Sequence, residues 1–187
     1  TAPMKIIAAV LQLKPQGSVA ENLLHAQSLL HEAAEAGAQL AVLPENFAYY
    51  GQADFLAAGR AESDDSGPVR QFLARQAKQH GLWLVGGTLP VAESKPRSFA
   101  RCYVFSPQAE AVGHYDKIHL FDADVASQEC KSAYRESDDF SAGEKRLGYT
   151  VSPFNANTDS IFFQDINFEI KRKINKKLKT ILSYFYF

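Results

Sequence analysis

Cysteine is scarce in this sequence, with only Cys102 and Cys130 among 187 residues. The two do not form a CxxC pair, which argues against a disulfide framework, a zinc ribbon and a thioredoxin-like motif. Other signatures are also missing. His31-Glu32-Ala-Ala-Glu35 begins like an HExxH zinc helix but lacks the second histidine, and no GxGxxG, P-loop or GxSxG motif occurs. We therefore expect neither a metal nor a cofactor.

Net charge and long apolar runs are lacking too. The 20 Lys+Arg and 21 Asp+Glu give a net charge of −1, so no basic field indicates a nucleic-acid partner. The apolar run 6–13 is as long as a strand and too short to span a membrane, and no signal-peptide pattern precedes it. With 46% hydrophobic residues the chain is not disordered. We expect a cytoplasmic, globular protein with one domain or one domain plus an appendage.

The composition changes near Phe154. Residues 1–150 contain 25 alanines and carry 14 Lys+Arg against 18 Asp+Glu, whereas residues 151–187 contain one alanine and carry 6 against 3. From Asn155 onward, 21 of 33 residues are Phe, Ile, Asn, Lys or Tyr, whose codons are A/T-rich. Folding does not select residues by codon content, so we interpret Phe154 as close to a genetic junction; a natural C-terminal helix of unusual composition is the alternative. The predicted division is a domain at 1–154 and an unrelated tail at 155–187.

The periodicity of apolar residues, together with capping residues, prolines and glycines, predicts the secondary structure of residues 1–154. One helix begins at the capping box Ser18-Val-Ala-Glu21 and stops at Gly37, and another begins at Pro68 and stops before Gly81. The apolar positions expected to be buried on the first helix are Leu23, Ala26, Leu30 and Ala33. A short helix is predicted at 53–59, and strands are predicted at 5–13, 39–43, 82–89, 98–105 and 109–120. The resulting β-α-β-α-β-β-β order indicates an α/β fold in which helices cover one face of a mixed sheet.

Two charged residues stand at predicted strand ends. Glu45, in Leu43-Pro44-Glu45-Asn46, follows an apolar strand at the edge where open α/β sheets bind ligands; a surface glutamate in a loop is the alternative. Lys117, in the segment 115–122, lies just before an aromatic-rich turn and is suited to donating to a developing oxyanion. Its alternative is an edge-strand lysine that discourages aggregation. His119, between Ile and Leu, is interpreted as structural.

A third segment, Tyr134-Arg135-Glu136-Ser137 followed by Phe140-Ser141-Ala142-Gly143, is by itself predicted to be a polar loop. Together the three segments resemble the nitrilase superfamily of carbon–nitrogen hydrolases, especially its Nit branch of ω-amidase-like enzymes. The resemblance covers about residues 4–154 and also includes the strand at 6–13, Gly86-Gly87-Thr88 and Val151-Ser-Pro-Phe154. It implies the N-terminal part of a four-layer αββα sandwich and hydrolysis of a small amide, with homo-oligomers in the intact family.

The resemblance also assigns roles to three residues. It implies that Glu45 is the general base, that Lys117 stabilises the tetrahedral intermediate and that Glu136 orients the lysine and the substrate. In the family, a cysteine attacks the amide carbon, and the base transfers its proton to the leaving ammonia. That cysteine lies in a Cys-Tyr-Asp-like segment soon after the stretch matching 151–154, but residues 155–164 contain none. Cys102, in a predicted strand, and Cys130, in a predicted loop, are not expected to replace it.

Three hypotheses follow from this departure. The chain is a catalytically inactive remnant that ends short of a family domain, or a pseudoenzyme that binds a ligand or an intact subunit, or an interaction protein that uses its tail. The tail places Lys residues among apolar residues at helical spacing, which is typical of a basic amphipathic helix for a membrane or a partner; fortuitous periodicity is the alternative. For the inactive chain we expect uncovered apolar faces on the strands at 6–13, 82–89 and 103–105, and hence aggregation.

Overall fold

The computed structural model describes residues 7–14, 16–51, 54–93, 96–126 and 131–144, and all structural statements concern these residues. Its strands are β1 Ala8–Val10, β2 Leu40–Val42, β3 Trp83–Val85, β4 Leu89–Val91, β5 Phe99–Phe105, β6 Ala111–Asp116, β7 Asp122–Ala126 and β8 Lys131–Arg135. Its helices are α1 Val19–Glu35, α2 Phe55–Ala61, α3 Pro68–His80 and α4 Glu136–Asp139. The predicted α/β class is confirmed. Cys130, the segment 151–154 and the tail lie outside the described residues.

The main sheet determines which chain segments meet. Strands β1, β2 and β3 pair in parallel, and β5 pairs antiparallel with β3 and β4 on one side and with β6 on the other. Because β5 reverses the chain direction and β6 reverses it again, β6 runs in the same direction as β2. The segments that follow β2 and β6 therefore emerge at the same edge of the sheet. Strands β7 and β8 form a separate hairpin.

Helices α1 and α3 begin and end as their sequences predict. The Ser18 side chain accepts a hydrogen bond from the Glu21 backbone N–H, and Gly37 has a φ of 80°. Pro68 opens α3, and Gly81, with a φ of 63°, follows its end. Among the described residues, no helix is both long enough and apolar enough to cross a membrane.

The buried face of α1 differs from the prediction at one position. Asn22 is buried there, whereas Leu23 is only half-buried. Both polar atoms of the Asn22 side-chain amide have a hydrogen-bond partner: its NH2 group donates to the Ala48 carbonyl, and its oxygen accepts from the Gln16 backbone N–H. A buried amide with partners on both sides avoids the cost of desolvation without compensation. Apolar spacing alone could not reveal that contact.

The two faces of the sheet have different surroundings. Successive residues of a strand point to opposite faces, so the row Ala41, Leu84 and Phe105 lies on one face and the row Val10, Val42, Val85 and Val104 lies on the other. The first row is at most 2% exposed and belongs to the core formed with α1 and α3. In the second row, exposure rises from 5% at Val104 to 43% at Val10. The expectation of exposure at 103–105 was wrong, because Tyr103, Val104 and Phe105 are only 4%, 5% and 2% exposed, and Tyr103 and Phe105 belong to the core.

Three further expectations need correction. The strand predicted at 82–89 is interrupted at Gly86-Gly87-Thr88, so that β3 and β4 pair with β5 as two separate strands, and the strand predicted at 109–120 ends at Asp116. The segment after Phe121 was predicted as a loop, but it contains the β7–β8 hairpin and the single-turn helix α4. The short helix α2 begins two residues later than predicted because Asp54 caps it by accepting from the Ala57 N–H at 2.8 Å.

Candidate active site

A compact cluster of three charged side chains lies at the edge of the sheet. The Lys117 Nζ atom donates to Glu45 Oε1 at 2.7 Å and to Glu136 Oε1 and Oε2 at 3.0 and 2.9 Å. The Lys117 and Glu136 side chains are only 12% and 7% exposed, whereas Glu45 is 46% exposed. One ammonium group is therefore shared between a buried carboxylate and a carboxylate that solvent can reach.

The backbone around Glu45 is fixed by neighbouring strands. The Leu43 N–H donates to the Val85 carbonyl at 2.9 Å, and the Asn46 N–H donates to Thr88 Oγ1 at 2.9 Å. Asn46 adopts a left-handed φ of 51°, which turns the chain sharply after Glu45. Gly87, where the predicted strand is interrupted, has a φ of 62°, and a Cβ there would lie 2.0 Å from the Pro44 carbonyl oxygen, so only glycine fits.

Two fully buried polar side chains anchor the loop that follows Glu45. Asn22 on α1 donates to the Ala48 carbonyl at 3.0 Å. Glu62, which is 0% exposed, accepts from the Tyr49 hydroxyl at 2.7 Å and from the N–H groups of Val69 and Arg70 at the start of α3. Glu62 thus ties the loop to a helix N-terminus, where a carboxylate is favoured by the helix dipole. Both helices contribute to the position of Glu45.

Lys117 is held by its backbone as well as its side chain. Its N–H donates to the Ala100 carbonyl at 3.0 Å, and its own carbonyl accepts from the Gly143 N–H at 2.9 Å. Residue 143 is a glycine for a steric reason, since a Cβ there would lie 2.3 Å from the Asp116 carbonyl oxygen. The segment that the sequence showed only as a polar loop therefore packs directly against the backbone of the lysine.

Glu136 is joined to Phe121 by two hydrogen bonds. The Phe121 N–H donates to Glu136 Oε2 at 2.6 Å, and the Glu136 N–H donates to the Phe121 carbonyl at 3.1 Å. Glu136 stands at the start of α4, directly after β8. The hairpin that the sequence analysis missed is therefore the element that delivers this carboxylate to the lysine.

The cluster keeps the lysine charged. Burial alone would lower the pKa of Lys117, but hydrogen bonds and charge from Glu45 and Glu136 outweigh it and hold that pKa above its ordinary value. Lys117 is consequently an ammonium group at neutral pH. A fixed cation in a partly desolvated site stabilises a developing oxyanion more strongly than it would in water.

The cluster forms one wall of a cleft of about 240 Å³. Polar atoms come from Glu45, Asn46, Thr88, Lys117 and Glu136; the apolar lining consists of Tyr50, Phe55, Leu89, Pro90, Ala100, Phe121 and Phe140. Asn46 Oδ1 is buried and has no hydrogen-bond partner among the described residues. Tyr50 and Phe121 are 57% and 61% exposed. The cleft thus combines a cation, two carboxylates and aromatic walls, as expected of a small-molecule site.

The structure brings together the three residues to which the sequence analysis assigned catalysis, while their chemical roles stay a prediction. His119 is exposed and does not line the cleft. Cys102 lies in β5, outside the lining, and burial raises the pKa of its thiol to about 12, so it is not a thiolate at neutral pH. Sequence reasoning missed the aromatic lining, although Phe121 lies in the same motif as Lys117.

Comparison with known proteins gives consistent matches. The family model described as carbon-nitrogen hydrolase matches residues 7–157. An omega-amidase NIT2 of Danio rerio is 37% identical over 151 residues, which are 80% of this chain and 52% of that protein. A deaminated glutathione amidase of Yersinia enterocolitica is 32% identical over 154 residues, which are 76% of this chain and 52% of that protein. The chain spans about half the length of these curated relatives.

Solved structures agree on the fold. Nit3 of Saccharomyces cerevisiae, a member of branch 10 of the nitrilase superfamily, matches with a TM-score of 0.62 and 26% identity, covering 76% of this chain and 50% of that one. An amidase from Nesterenkonia sp. matches with a TM-score of 0.60 and 24% identity, covering 79% of this chain and 51% of that one. These neighbours are αββα sandwich proteins of the nitrilase superfamily, which confirms the predicted fold class.

Proposed function

The chain belongs to the carbon–nitrogen hydrolase family, and we propose that its cleft is the base-and-lysine side of an ω-amidase-like site for hydrolysing a small amide. The observation that carries the proposal is the contact of Lys117 Nζ with both Glu45 and Glu136 at 2.7 to 3.0 Å. A cation next to an accessible carboxylate is the pairing that amide hydrolysis needs. The carboxylate moves protons while the cation stabilises the oxyanion.

Each residue has a role that its surroundings support. Glu45, the more exposed carboxylate, removes the proton of the attacking group and returns it to the leaving ammonia. Lys117 stabilises the tetrahedral intermediate, and Glu136, buried and bonded to the Phe121 N–H, holds the lysine in place. Glu136 is therefore a positioning residue, whereas Glu45 and Lys117 act on the reacting atoms.

We further propose that this chain by itself does not turn over amides through a thioester. A thiol nucleophile is required for that route, and in one structural neighbour, a mutant of the amidase from Nesterenkonia sp. AN1, acrylamide has added to the active site cysteine. This chain contains only Cys102 and Cys130, and residues 155–164 contain no cysteine. The high pKa of the Cys102 thiol argues against its use. The alternative functions are a pseudoenzyme that binds a ligand or an intact subunit and an interaction protein.

We also propose a cytoplasmic location, a domain boundary near residue 154, a small amide as the partner with no nucleic acid, and a homo-oligomer in the intact family. The shift in composition after Phe154 supports the boundary. The family match supports the amide, because the names of the relatives describe amidases.

Two assays test the proposed function. The purified chain, incubated with glutamine-like amides and 2-oxo-acid amides, is expected to release no ammonia. Release that survives thiol alkylation would indicate another mechanism, and release abolished by alkylating Cys102 or Cys130 would show that one of these cysteines is the nucleophile.

The second assay supplies a thiol from a relative. In a chimera, residues 155–187 are replaced by the part of the Danio rerio omega-amidase NIT2 that follows its matched region. We expect this chimera to release ammonia. Lys117→Ala should lower the rate by at least about a hundredfold, whereas Lys78→Ala, at an exposed lysine on α3, should not change it. A chimera that unfolds cooperatively but releases no ammonia would contradict the roles assigned to Glu45 and Lys117.

A further inference from the structure

A second group of charged side chains, outside the lining of the cleft, meets at Arg101 in β5. Arg101 Nε donates to Asp116 Oδ1 at 2.7 Å, and its Nη2 donates to Asp116 Oδ2 at 2.9 Å and to Glu93 Oε1 at 2.6 Å. The side chains of Arg101 and Asp116 are only 10% and 19% exposed. Because the guanidinium group is planar and rigid, this two-pronged contact fixes the orientation of Asp116 as well as its distance.

The contact lies at the end of β6, directly before Lys117. Arg101 and Asp116 are register partners of β5 and β6, and Asp116 is the last residue of β6. The next residue, Lys117, donates its N–H to the carbonyl of Ala100, the neighbour of Arg101. The ends of strands open more readily than their centres. A charge-assisted pair at the last register position therefore opposes opening where the chain leaves the sheet towards the Lys117 side chain.

Arg101 acts from the face of the sheet that does not form the cleft. Ala100 lines the cleft, and successive residues of a strand point to opposite faces, so the Arg101 side chain projects away from it. Glu93 follows β4, whose residues Leu89 and Pro90 also line the cleft. The guanidinium group of Arg101 thus joins the segment after β4 to the end of β6, across β5.

The position of the Lys117 backbone matters because its ammonium group contacts two carboxylates at once. Nζ lies 2.7 Å from Glu45 Oε1 and 2.9 to 3.0 Å from the oxygens of Glu136, and these two residues come from separate segments of the chain. Hydrogen bonds weaken steeply when their geometry relaxes. A small displacement of residue 117 would therefore lengthen one of these contacts even if the side chain kept the other.

We propose that Arg101 is a positioning residue for amide hydrolysis: by holding Asp116 it fixes the backbone of Lys117 and keeps the ammonium group in contact with Glu45 and Glu136. The inference rests on the proposed function and adds to it a residue that does not touch the reacting atoms. Loss of Arg101 has opposite effects through position and through charge. Loosened contacts with two carboxylates favour the free amine of Lys117, whereas removal of a neighbouring cation favours the ammonium form.

Competitive acetylation of the whole chain measures the state of Lys117 without turnover. Acetic anhydride reacts with the free amine, and peptide mass spectrometry gives the rate at each lysine, with the exposed Lys78 on α3 as the internal reference. At about pH 9, Arg101→Gln is expected to raise the ratio of Lys117 to Lys78 acetylation about tenfold, as a fall of about one unit in the pKa of Lys117 would do. Arg101→Lys keeps the charge but loses the two-pronged contact, and it is expected to raise the ratio about threefold.

Two control variants separate positioning from general effects. Arg75→Gln removes an exposed arginine on α3 and should leave the ratio unchanged. Leu84→Ala weakens the core at β3, a strand that does not pair with Arg101, and should also leave the ratio unchanged. Thermal unfolding of each variant verifies that it is folded at the labelling temperature.

The outcomes distinguish this inference from the proposed function. An unchanged ratio in Arg101→Gln would overturn the inference, and so would a lower ratio, which is the effect of charge alone. An equal rise in Leu84→Ala would overturn it as well, because the effect would then follow from lost stability. If Arg101→Gln does not fold, Arg101→Lys decides, and an unchanged ratio there would overturn the inference. None of these results changes the expected ammonia release by the chimera, which tests the roles of Glu45 and Lys117 separately.

Discussion

The two faces of the main sheet are made by adjacent residues, yet they have different surroundings. On one face Leu84 is completely buried between the sheet and the helices, whereas on the other the row of valines becomes progressively exposed towards β1. Val10 and Val104 belong to that same row but are 43% and 5% exposed. The stability of this part of the chain is therefore expected to come from the helix-covered face. The other face contributes least at β1.

The largest expected effect is on the covered face. Leu84→Ala would open a cavity in a closely packed core and is expected to lower the free energy of unfolding by about 3 kcal/mol. The matched change on the opposite face is Val85→Ala, at a half-buried neighbour, with an expected loss of about 1 kcal/mol. Urea unfolding measures both. Equal losses would show that the second face is covered as well as the first.

The next largest effect concerns the polar anchor of the covered region. Glu62→Ala would leave the Tyr49 hydroxyl and the N–H groups of Val69 and Arg70 without their acceptor, so we expect a loss of about 2 to 3 kcal/mol. Glu110→Ala, at an exposed glutamate in the turn before β6, is the control and should change the stability little. If Glu62→Ala is as stable as its control, the buried carboxylate does not anchor the loop.

The same anchor predicts a pH dependence. Burial, together with the hydrogen bond to Glu62 and its charge, raises the pKa of Tyr49 above its ordinary value of about 10. The unfolded chain releases this proton near pH 10 while the folded chain retains it. The stabilisation is therefore present below that pH and is lost as the pH rises above it.

Tyr49→Phe is accordingly expected to cost about 1 kcal/mol at neutral pH and to flatten the alkaline loss of stability. Tyr50→Phe is the matched control, because Tyr50 is 57% exposed. This substitution should leave the decline of the free energy of unfolding at alkaline pH as it is in the wild type. Urea midpoints measured from pH 8 to pH 11 compare the two variants. An identical slope in wild type and Tyr49→Phe would exclude Tyr49 as the source.

The smallest effect on stability is expected at the exposed end of the valine row. Val10→Ser should change the free energy of unfolding by no more than about 0.5 kcal/mol, and it should reduce self-association because exposed apolar surface promotes contact between chains. Light scattering and urea unfolding measure the two effects. Val104→Ser, in the buried part of the row, should instead destabilise the chain. A large loss of stability at Val10 would mean that β1 is covered.

Much of the fold was predictable because its signals are local. The capping box at Ser18, the proline that opens α3 and the glycines that follow α1 and α3 act within one or two turns of a helix. The proximity of Glu45 and Lys117 was expected from the family resemblance together with their positions at predicted strand ends. The structure accounts for it by the strand directions, since β2 and β6 run the same way.

The features that the sequence did not predict depend on distant partners. Asn22 is buried because of the Ala48 carbonyl, and the strand breaks at Gly87 because the Pro44 carbonyl approaches it closely. The β7–β8 hairpin lacks a tight-turn signal and was predicted as a loop. Phe121 has no periodicity that marks it as part of a site, and only its contacts with Glu136 and the cleft do so.

The ion pair between Glu45 and Lys117 joins residues 72 positions apart in the chain. Closing a loop of that length costs entropy before any contact is gained, so the pair is expected to form only after β5 has linked β3 to β6. We therefore expect the cleft to assemble late in folding. A substitution at Lys117 should therefore accelerate unfolding while leaving the folding rate almost unchanged. During folding, the sheet would be nearly complete before Glu45 and Lys117 come into contact.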